Sequence, residues 1–312
     1  MAGVIVVLAG GIGAARFLRG LLAVVGDAPV VVIGNTGDDI TVHGLPVSPD
    51  LDTVLYTLGG GVHEGQGWGR TDERFTVAEE LRAYGEPTWF TLGDRDIATH
   101  LVRRRVLDEG GSLTAATARL AARWRLPVTL LPMTDDPVQT RVVADGREMH
   151  FQEYWVGLHA TVPVERVWLA GADAARPAPG VLDAIAAADV ILLPPSNPVV
   201  SIGTILAVPG IRDAVVDAAA PVVGVSPIIG GAPVRGMADR MLEAIGVECS
   251  AAGVARYYGD VLDGWVVDDL DAAAVEELAP LPTRARPLWM RDLEATAAIA
   301  KAALALAEEL RT

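Results

Sequence analysis

Lysine and cysteine are scarce in this sequence, and each scarcity excludes a class of chemistry. Lys301 is the single lysine, and it lies in a helical pattern near the C-terminus. A Walker-type phosphate loop needs a lysine directly after its glycines, so that class of nucleotide site is excluded, and a lysine Schiff base is not expected. Cys249 is the single cysteine, which excludes an intramolecular disulfide and a thiolate metal cluster. We expect a structural role for Cys249.

Positive charge and long apolar runs are also in short supply. The 312 residues include 25 Lys and Arg against 40 Asp and Glu, a formal net charge of −15. Because nucleic acids select basic surfaces, a nucleic-acid partner is not expected, and an anionic substrate would need local arginines or a bound cation. No stretch reaches the ~20 apolar residues of a membrane span. The apolar start, Val4 to Leu8, is interpreted as a buried strand rather than a signal peptide, so we expect a cytoplasmic protein.

Apolar runs that alternate with helical patterns predict an α/β fold. Strands are predicted over 4–8, 30–33, 128–131, 141–144, 148–152, 164–169, 189–193 and 221–225, and helices over 14–25, 51–58, 76–84, 94–107, 112–124, 181–188, 237–245 and 292–310. Continuous Val/Ile runs separated by helices favour a mostly parallel sheet with helices on both faces. Helical patterns dominate 51–127, which indicates a mainly helical insertion within a single domain spanning 1–312.

A glycine loop follows the first predicted strand. Gly10, Gly11 and Gly13 precede a helical pattern, and such glycines let the backbone approach a phosphate at the positive end of a helix. Arg16 stands where the dinucleotide fingerprint needs Gly or Ala. The loop therefore indicates a nucleotide-phosphate site other than the nicotinamide type. A tight strand–helix turn without a ligand is the alternative.

Acidic residues follow the second predicted strand. Asp38 and Asp39 come first, and Asp50 and Asp52 lie two residues apart at a predicted helix start, where both can point into one cleft. Mg²⁺ is usually bound through one or two carboxylates together with substrate phosphates, and a carboxylate in this place can also act as general base toward an alcohol. Helix capping by Asp50 and plain solvation of Asp39 are the alternatives. Capping by Asp50 leaves Asp52 without a structural task.

Two further segments carry candidate ligand-binding groups. Arg95, within the sequence from Gly93 to Asp96, can clamp a phosphate or carboxylate, or can form an internal ion pair. Ser196 and Asn197 lie in a proline-bounded loop after a buried strand. Their side chains suit a nucleotide base or ribose, and a turn satisfied by its own Asn is the alternative.

These segments together resemble a known enzyme family. Eight motifs occur in family order from residue 5 to about 265: Gly10–Gly13, Asn35–Asp39, Ser48–Tyr56, Gly93–Asp96, Leu131–Asp136, His150–Glu153, Pro195–Pro198 with Ser201–Gly203, and Ser226–Gly230. The chain is identified on these motifs as similar to the phosphoenolpyruvate/2-phospho-L-lactate transferases that build the 5-deazaflavin coenzyme F-420.

The resemblance implies a substrate pair and a fold. The donor would be a guanosine diphosphate ester of enolpyruvate or of phospholactate, and the acceptor would be the ribityl alcohol of 7,8-didemethyl-8-hydroxy-5-deazariboflavin, with release of GMP. The expected cation is Mg²⁺. The expected structure is a Rossmann-like sheet with a helical insert, as a homodimer.

The resemblance also implies roles for individual residues. Gly10, Gly11, Gly13, Asn35, Thr91, Ser196 and Asn197 would bind the substrates, with Thr91 near the deazaflavin. Asp38, Asp50 and Asp52 would hold the metal. Asp52 would also face the acceptor hydroxyl, and Arg95 would neutralise the donor.

Two other classes compete with this interpretation. A group of the same fold binds uridine-diphosphate sugars and acts as a metabolic regulator; it shares the glycine loop, but not the combination of Pro49–Thr53 with Gly93–Asp96. A nicotinamide dehydrogenase is disfavoured by Arg16. The choice between phosphoenolpyruvate and phospholactate stays open at this level, since the two differ only at one carbon.

Overall fold

A computed structural model describes residues 3–311 of the chain. The strands are β1 Val4–Ala9, β2 Val30–Gly34, β3 Ile40–Val42, β4 Leu45–Val47, β5 Thr129–Pro132, β6 Gln139–Ala144, β7 Arg147–His150, β8 Val164–Ala170, β9 Ala188–Leu193, β10 Val222–Val225, β11 Ile228–Ile229, β12 Ala232–Pro233, β13 Gly264–Val267 and β14 Thr283–Ala285. The helices are α1 Gly11–Val25, α2 Pro49–Leu58, α3 Thr76–Ala83, α4 Asp94–Asp108, α5 Leu113–Trp124, α6 Val181–Ala186, α7 Gly203–Ala207, α8 Ile211–Val216, α9 Ala238–Ala244, α10 Ala251–Tyr258, α11 Ala274–Glu277 and α12 Leu293–Glu309.

Seven strands form a central sheet in the order β14-β13-β10-β9-β1-β2-β5. Every neighbouring pair in this sheet is parallel. The chain builds β1, β2 and β5 toward one edge and then returns to build β9, β10, β13 and β14 toward the other. The strand order therefore reverses between β1 and β9, where parallel α/β sheets bind their ligands beyond the carboxyl ends of the strands.

Apolar residues of the sheet contribute to a separate core on each face. Along β1, Val6 and Leu8 pack into one core, and Ile5 and Val7 pack into the other. Helices α6, α8, α9 and α10 cover the first core, whereas α1, α2, α5 and α12 cover the second. The predicted α/β fold, Rossmann-like and mostly parallel with helices on both faces, is confirmed.

A long crossover, 35–128, joins the neighbouring strands β2 and β5. It contains α2 to α5, which were predicted, and an antiparallel hairpin of β3 and β4, which was not. Strands β6, β7 and β8 form a separate antiparallel sheet. The description of 1–312 as one domain with an insertion over 51–127 stays a prediction.

Several short elements escaped the sequence analysis. Strands β13 and β14 and helices α7, α8 and α10 have between three and eight residues each, too few for an apolar period to stand out from its surroundings. Within the described part of the chain, no helix has both the length and the apolar character needed to cross a membrane.

Helix α1 contacts the loop after β9 through a glycine. A Cβ atom added to Gly13 would lie 2.0 Å from the carbonyl oxygen of Pro195, a separation that van der Waals repulsion forbids. The hydroxyl of Ser196 donates a hydrogen bond of 2.8 Å to the carbonyl of Gly10. The absence of a side chain at Gly13 thus lets two of the predicted ligand loops, 10–13 and 194–198, pack directly on each other.

We therefore predict that Gly13→Ala destabilises the protein. Forcing a methyl group against a backbone carbonyl is overpacking, which typically costs about 1–3 kcal/mol. Urea denaturation measures the change. Gly65→Ala is the matched control, because a Cβ there would meet only the His63 side chain, at 3.3 Å. Equal stability of the two variants would contradict the predicted close contact.

Candidate active site

A cavity of about 870 Å³ opens beyond the carboxyl ends of β1, β2 and β9. Most of the predicted site residues border it: Gly10, Gly11, Gly13, Asp38, Asp50, Asp52, Thr91, Ser196 and Asn197. Asn35 and Arg95 do not. Segments far apart in the sequence thus meet in one cavity, at the place where the topology of the sheet predicts a ligand.

Two buried carboxylates, close enough to interact electrostatically, border this cavity. Asp38 follows β2, and Asp50 lies in the first turn of α2; only 5% and 7% of their surfaces are exposed. Burial raises the pKa of Asp50 to about 6, against the hydrogen bonds that it accepts from Asn35 and from the backbone of Gly11. Burial, followed by the charge of Asp50, raises the pKa of Asp38 well above its usual range. Two anions so placed are costly unless a cation joins them.

The chemistry of this carboxylate pair fits Mg²⁺. Oδ1 of Asp38 is buried and has no hydrogen-bond partner among residues 3–311, whereas Oδ2 accepts a hydrogen bond of 3.2 Å from the side chain of Gln152. Among residues 3–311, no group of three or more His, Cys, Asp or Glu side chains is arranged to hold a metal ion. Because Mg²⁺ commonly takes only one or two carboxylates and completes its shell with phosphates and water, the pair suffices in chemical type. The bound Mg²⁺ itself stays a prediction.

The structure gives Asp52 a structural task, contrary to expectation. Its carboxylate forms a buried ion pair with Arg103 of α4 and lies 3.4 Å from the backbone N–H of Ser48. Arg103 is only 1% exposed. The sequence could not reveal this pair, because the two residues are 51 positions apart and only tertiary packing brings α4 to the start of α2. The alternative that Asp50 caps this helix is wrong, since Ser48 occupies the N-cap position and Asp50 lies within the helix.

A chain of polar contacts extends from Arg103 along α4. Nη1 of Arg103 lies 3.1 Å from Nδ1 of His100. Since arginine only donates hydrogen bonds, Nδ1 must accept, and the ring proton is assigned to Nε2, which lies 3.4 Å from Oδ2 of Asp96. Asp96 also accepts a hydrogen bond from the hydroxyl of Tyr56. Asp96 and His100, four residues apart, therefore share one side of the helix.

Arg103 is the residue of this network that the sequence analysis missed. It follows Asp96 and His100 at intervals of four and three residues, the spacing that places side chains on one face of a helix. That spacing was the available signal. It indicated a shared face, but not that the face would lie against Asp52.

Asn35 lies behind the cavity wall rather than in it. Its side-chain nitrogen donates to Oδ2 of Asp50 at 2.9 Å and to the carbonyl of Val200 at 3.1 Å. Its side-chain oxygen accepts hydrogen bonds from Gly37 and Thr204. Both the nitrogen and the oxygen of the amide are therefore hydrogen-bonded within the protein. In this structure Asn35 orients the carboxylate of Asp50. Its predicted contact with substrate stays a prediction.

Arg95 lies on the exposed surface at the start of α4. Its backbone N–H donates a hydrogen bond of 2.8 Å to Glu73, and its carbonyl accepts one from Arg70. The internal Arg–Asp ion pair considered as its alternative is not formed within residues 3–311. The predicted neutralisation of the donor by Arg95 stays a prediction, and other arginines, among them Arg16, border the cavity instead.

The loop after β9 presents Ser196 and Asn197 to the cavity while using parts of both side chains internally. Oδ1 of Asn197 accepts hydrogen bonds from the N–H groups of Val199 and Val200 at 3.0 and 3.2 Å. These bonds cap a π-helical segment, Pro198–Ile202. The turn satisfied by its own Asn is thus present, and Asn197 also borders the cavity. π-Helical segments are uncommon and frequently occur at functional sites.

A set of aromatic side chains, called here the aromatic wall, also borders the cavity and was not predicted from the sequence. It is formed by Trp68, Trp89, Phe90, Phe151 and Trp155. The rings of Trp89 and Phe90 meet edge to face at 5.7 Å, and those of Phe151 and Trp155 lie 5.8 Å apart. Thr91 borders the cavity directly after this first pair. The aromatic wall offers flat apolar surface for a planar ligand.

The comparison with protein families decides which group the chain belongs to. The model of the 2-phospho-L-lactate transferase CofD family matches residues 5–297. The chain belongs to this family. It is a transferase, and the regulator and dehydrogenase alternatives are not supported.

Similar proteins cover nearly the whole chain. A protein of Streptomyces griseus named phosphoenolpyruvate transferase is 62% identical over 315 residues, covering 98% of this chain and 99% of its own. A phosphoenolpyruvate transferase of Thermobifida fusca is 63% identical, covering 98% of each chain. Among solved structures, a UPF0052 family member from Bacillus halodurans aligns with a TM-score of 0.64 at 18% identity, covering 97% of this chain and 99% of its own. At that identity the likeness concerns the fold alone.

We predict that Arg103→Met strongly destabilises the protein. Removing one partner of a buried ion pair leaves the other charge uncompensated, which typically costs about 3–5 kcal/mol. Arg104→Met is the matched control, because Arg104 pairs with Asp108 on the exposed surface, where such pairs contribute about 0–1 kcal/mol. Urea denaturation of both variants, of Asp52→Asn and of Asp52→Asn/Arg103→Met, measures the coupling. A loss no larger than that of Arg104→Met would refute the buried pair.

We also predict that Asp50→Asn stabilises the metal-free protein at neutral pH. With its pKa raised from 3.8 to about 6, Asp50 binds its proton more tightly in the folded state, so the stability of the parent falls as pH rises from about 4 to 6. Above that window the penalty is on the order of 2–3 kcal/mol, and the variant escapes it.

Urea denaturation in excess chelator at pH 4 and pH 7.5 tests this second prediction. The gain should appear only at pH 7.5, and added Mg²⁺ should stabilise the parent more than the variant. Asp27→Asn, on the exposed turn after α1, is the control. A variant less stable than the parent at pH 7.5 in chelator would contradict the assignment.

Proposed function

We propose that this protein transfers a phosphoenolpyruvate group from its guanosine diphosphate ester to the ribityl alcohol of 7,8-didemethyl-8-hydroxy-5-deazariboflavin, with release of GMP. The observation that carries the proposal is a single cavity bordered by the glycine loop, by the buried carboxylates Asp38, Asp50 and Asp52, and by the aromatic wall. The relatives named phosphoenolpyruvate transferase, 62–63% identical, favour enolpyruvate over phospholactate. We further propose that the protein is a cytoplasmic homodimer.

The polar side of the cavity suits the donor. Gly10, Gly11 and Gly13 start α1, where backbone N–H groups and the helix dipole favour a diphosphate. Ser196 and Asn197 border the same region from β9 and suit the nucleoside. Asp38 and Asp50 would hold Mg²⁺, which supplies neutralisation of the developing phosphate charge when it is bound.

The transfer needs an alcohol placed in line with the phosphorus that bears the three-carbon acid. A bond forms from the alcohol oxygen to that phosphorus, the bond from phosphorus to the GMP oxygen breaks, and the alcohol proton leaves to a base. Such reactions depend mainly on position and charge stabilisation. Asp52 borders the cavity, and its ion pair with Arg103 fixes the carboxylate. We assign to Asp52 the orientation of the alcohol and the acceptance of its proton.

The aromatic wall suits the acceptor. A deazaflavin ring system is flat and largely apolar, and ligand sites of this kind combine aromatic walls with a few placed polar groups. The ring stacked near Trp89 and Trp155 would leave its ribityl chain free to extend toward the carboxylates. Thr91, which borders this region, can supply a hydroxyl to the ring edge.

Steady-state GMP release tests this function. The parent should release GMP only with an activated donor, the deazaflavin acceptor and Mg²⁺ together, and mass analysis of the product identifies the transferred unit. Asp52→Asn should lower turnover about 100-fold or more, on the scale of lost general-base catalysis. Because Asn leaves Arg103 unpaired, a melting curve must show that the variant is folded at the assay temperature.

Two results would count against the proposal. If the parent forms no product with either the enolpyruvate or the phospholactate ester of guanosine diphosphate, the proposed function is overturned. An Asp52→Asn variant within threefold of the parent would remove Asp52 from the mechanism and move its role to Asp38 or Asp50.

A further inference from the structure

Arg16 is the residue that breaks the dinucleotide fingerprint, and the structure places it at the cavity. It lies on α1, three residues after Gly13, and it borders the same cavity as the glycine loop. Its side chain is half-buried. A long cationic side chain that lies at the cavity, rather than extending into solvent, is placed to contact a ligand.

A second arginine meets Arg16 beside the loop at Gly67. Arg235 follows β12, and its Nη1 donates a hydrogen bond of 2.9 Å to the carbonyl of Gln66. A Cβ atom added to Gly67 would lie 3.1 Å from Nη1 of Arg235 and 3.4 Å from Nη2 of Arg16. The two guanidinium groups therefore reach the same small region at the edge of the cavity.

In the described part of the chain, this arginine pair has no acidic partner of its own. Burial, followed by the charge of Arg235, lowers the pKa of Arg16. The acid nearest in effect is Glu64, which is engaged by Arg19 at 3.1 Å. Within residues 3–311, neither Arg16 nor Arg235 lies within ion-pair distance of a carboxylate. Two like charges brought together without a counter-charge, in a chain of net charge −15, are arranged for an anion from outside.

We propose that Arg16 and Arg235 bind the carboxylate of the three-carbon acid on the donor, an inference that rests on the proposed function. The diphosphate is served by backbone N–H groups at the start of α1 and by the metal side of the cavity. The carboxylate is the anion that distinguishes this donor from a plain nucleoside diphosphate. Guanidinium groups match the two oxygens of a carboxylate with paired hydrogen bonds. The arginine pair thus selects the acid-bearing donor.

The experiment compares the donor with GDP, which carries the diphosphate but lacks the acid. Arg16→Gln and Arg235→Gln should each raise the KM of the donor about 10- to 100-fold, the scale of a charge-assisted hydrogen bond. The dissociation constant of GDP, measured by calorimetry, should change less than threefold. Arg16→Lys should lie between parent and Arg16→Gln, because it keeps the charge and loses the paired geometry. Arg119→Gln, exposed on α5, is the charge-matched control.

The possible outcomes distinguish a failure of this inference from a failure of the proposed function. Equal losses for GDP and donor would mean that the arginines bind the diphosphate, which overturns the inference and leaves the proposed function standing. Unchanged donor KM in both folded Gln variants would also overturn it. A parent that binds GDP but releases no GMP from the donor would overturn the proposed function, and the inference with it.

Discussion

The burial of several carboxylates at one end of the sheet is the constraint on which the rest of the site depends. Asp38, Asp50 and Asp52 are each less than 10% exposed, and among the described residues Arg103 is the single arginine or lysine buried to that degree. Charges taken out of water cost free energy unless they are paired or hydrogen-bonded. Arg103 compensates Asp52, and Asn35 and Gln152 donate to Asp50 and Asp38. The uncompensated remainder, centred on Asp38, is what a divalent cation would neutralise.

This arrangement explains why the supporting residues are rigid. Asn35 follows β2 directly and is completely buried. Its amide is held by hydrogen bonds to Asp50, Val200, Gly37 and Thr204. The short separation between Gly13 and Pro195 fixes α1 against β9 in the same way. A site that must hold like charges at short range needs such rigidity, because a mobile carboxylate would relax toward solvent. The apolar cores on both faces of the sheet stabilise the fold against this local electrostatic cost.

The features predicted correctly from the sequence were those encoded locally. Strands β1, β2 and β9 are long apolar runs, and the residues after them fall at the strand ends whatever the rest of the chain does. Asp50 and Asp52 share a helix start for the same reason. Only tertiary packing brings Arg103 against Asp52, and only tertiary packing brings Arg235 and the aromatic wall to the cavity. No local pattern could therefore place them. For Asn35, the motif indicated the correct region, but not that its side chain would be hydrogen-bonded to Asp50 and Val200.

Two clusters of opposite charge border the cavity, and each favours a different charge on the ligand. The carboxylates Asp38 and Asp50 favour a cation, whereas Arg16 and Arg235 favour an anion, and the glycine loop belongs to the same cavity wall. A small anion alone would pair with the arginines but would be repelled by the carboxylates. A metal ion alone would bind the carboxylates but would be repelled by the arginines. The proposed donor, a metal-bound diphosphate ester with a terminal acid, would satisfy both clusters at once, because it carries the cation and the carboxylate in one molecule. The strongly negative net charge then helps selectivity, since it penalises any anion that arrives without its cation.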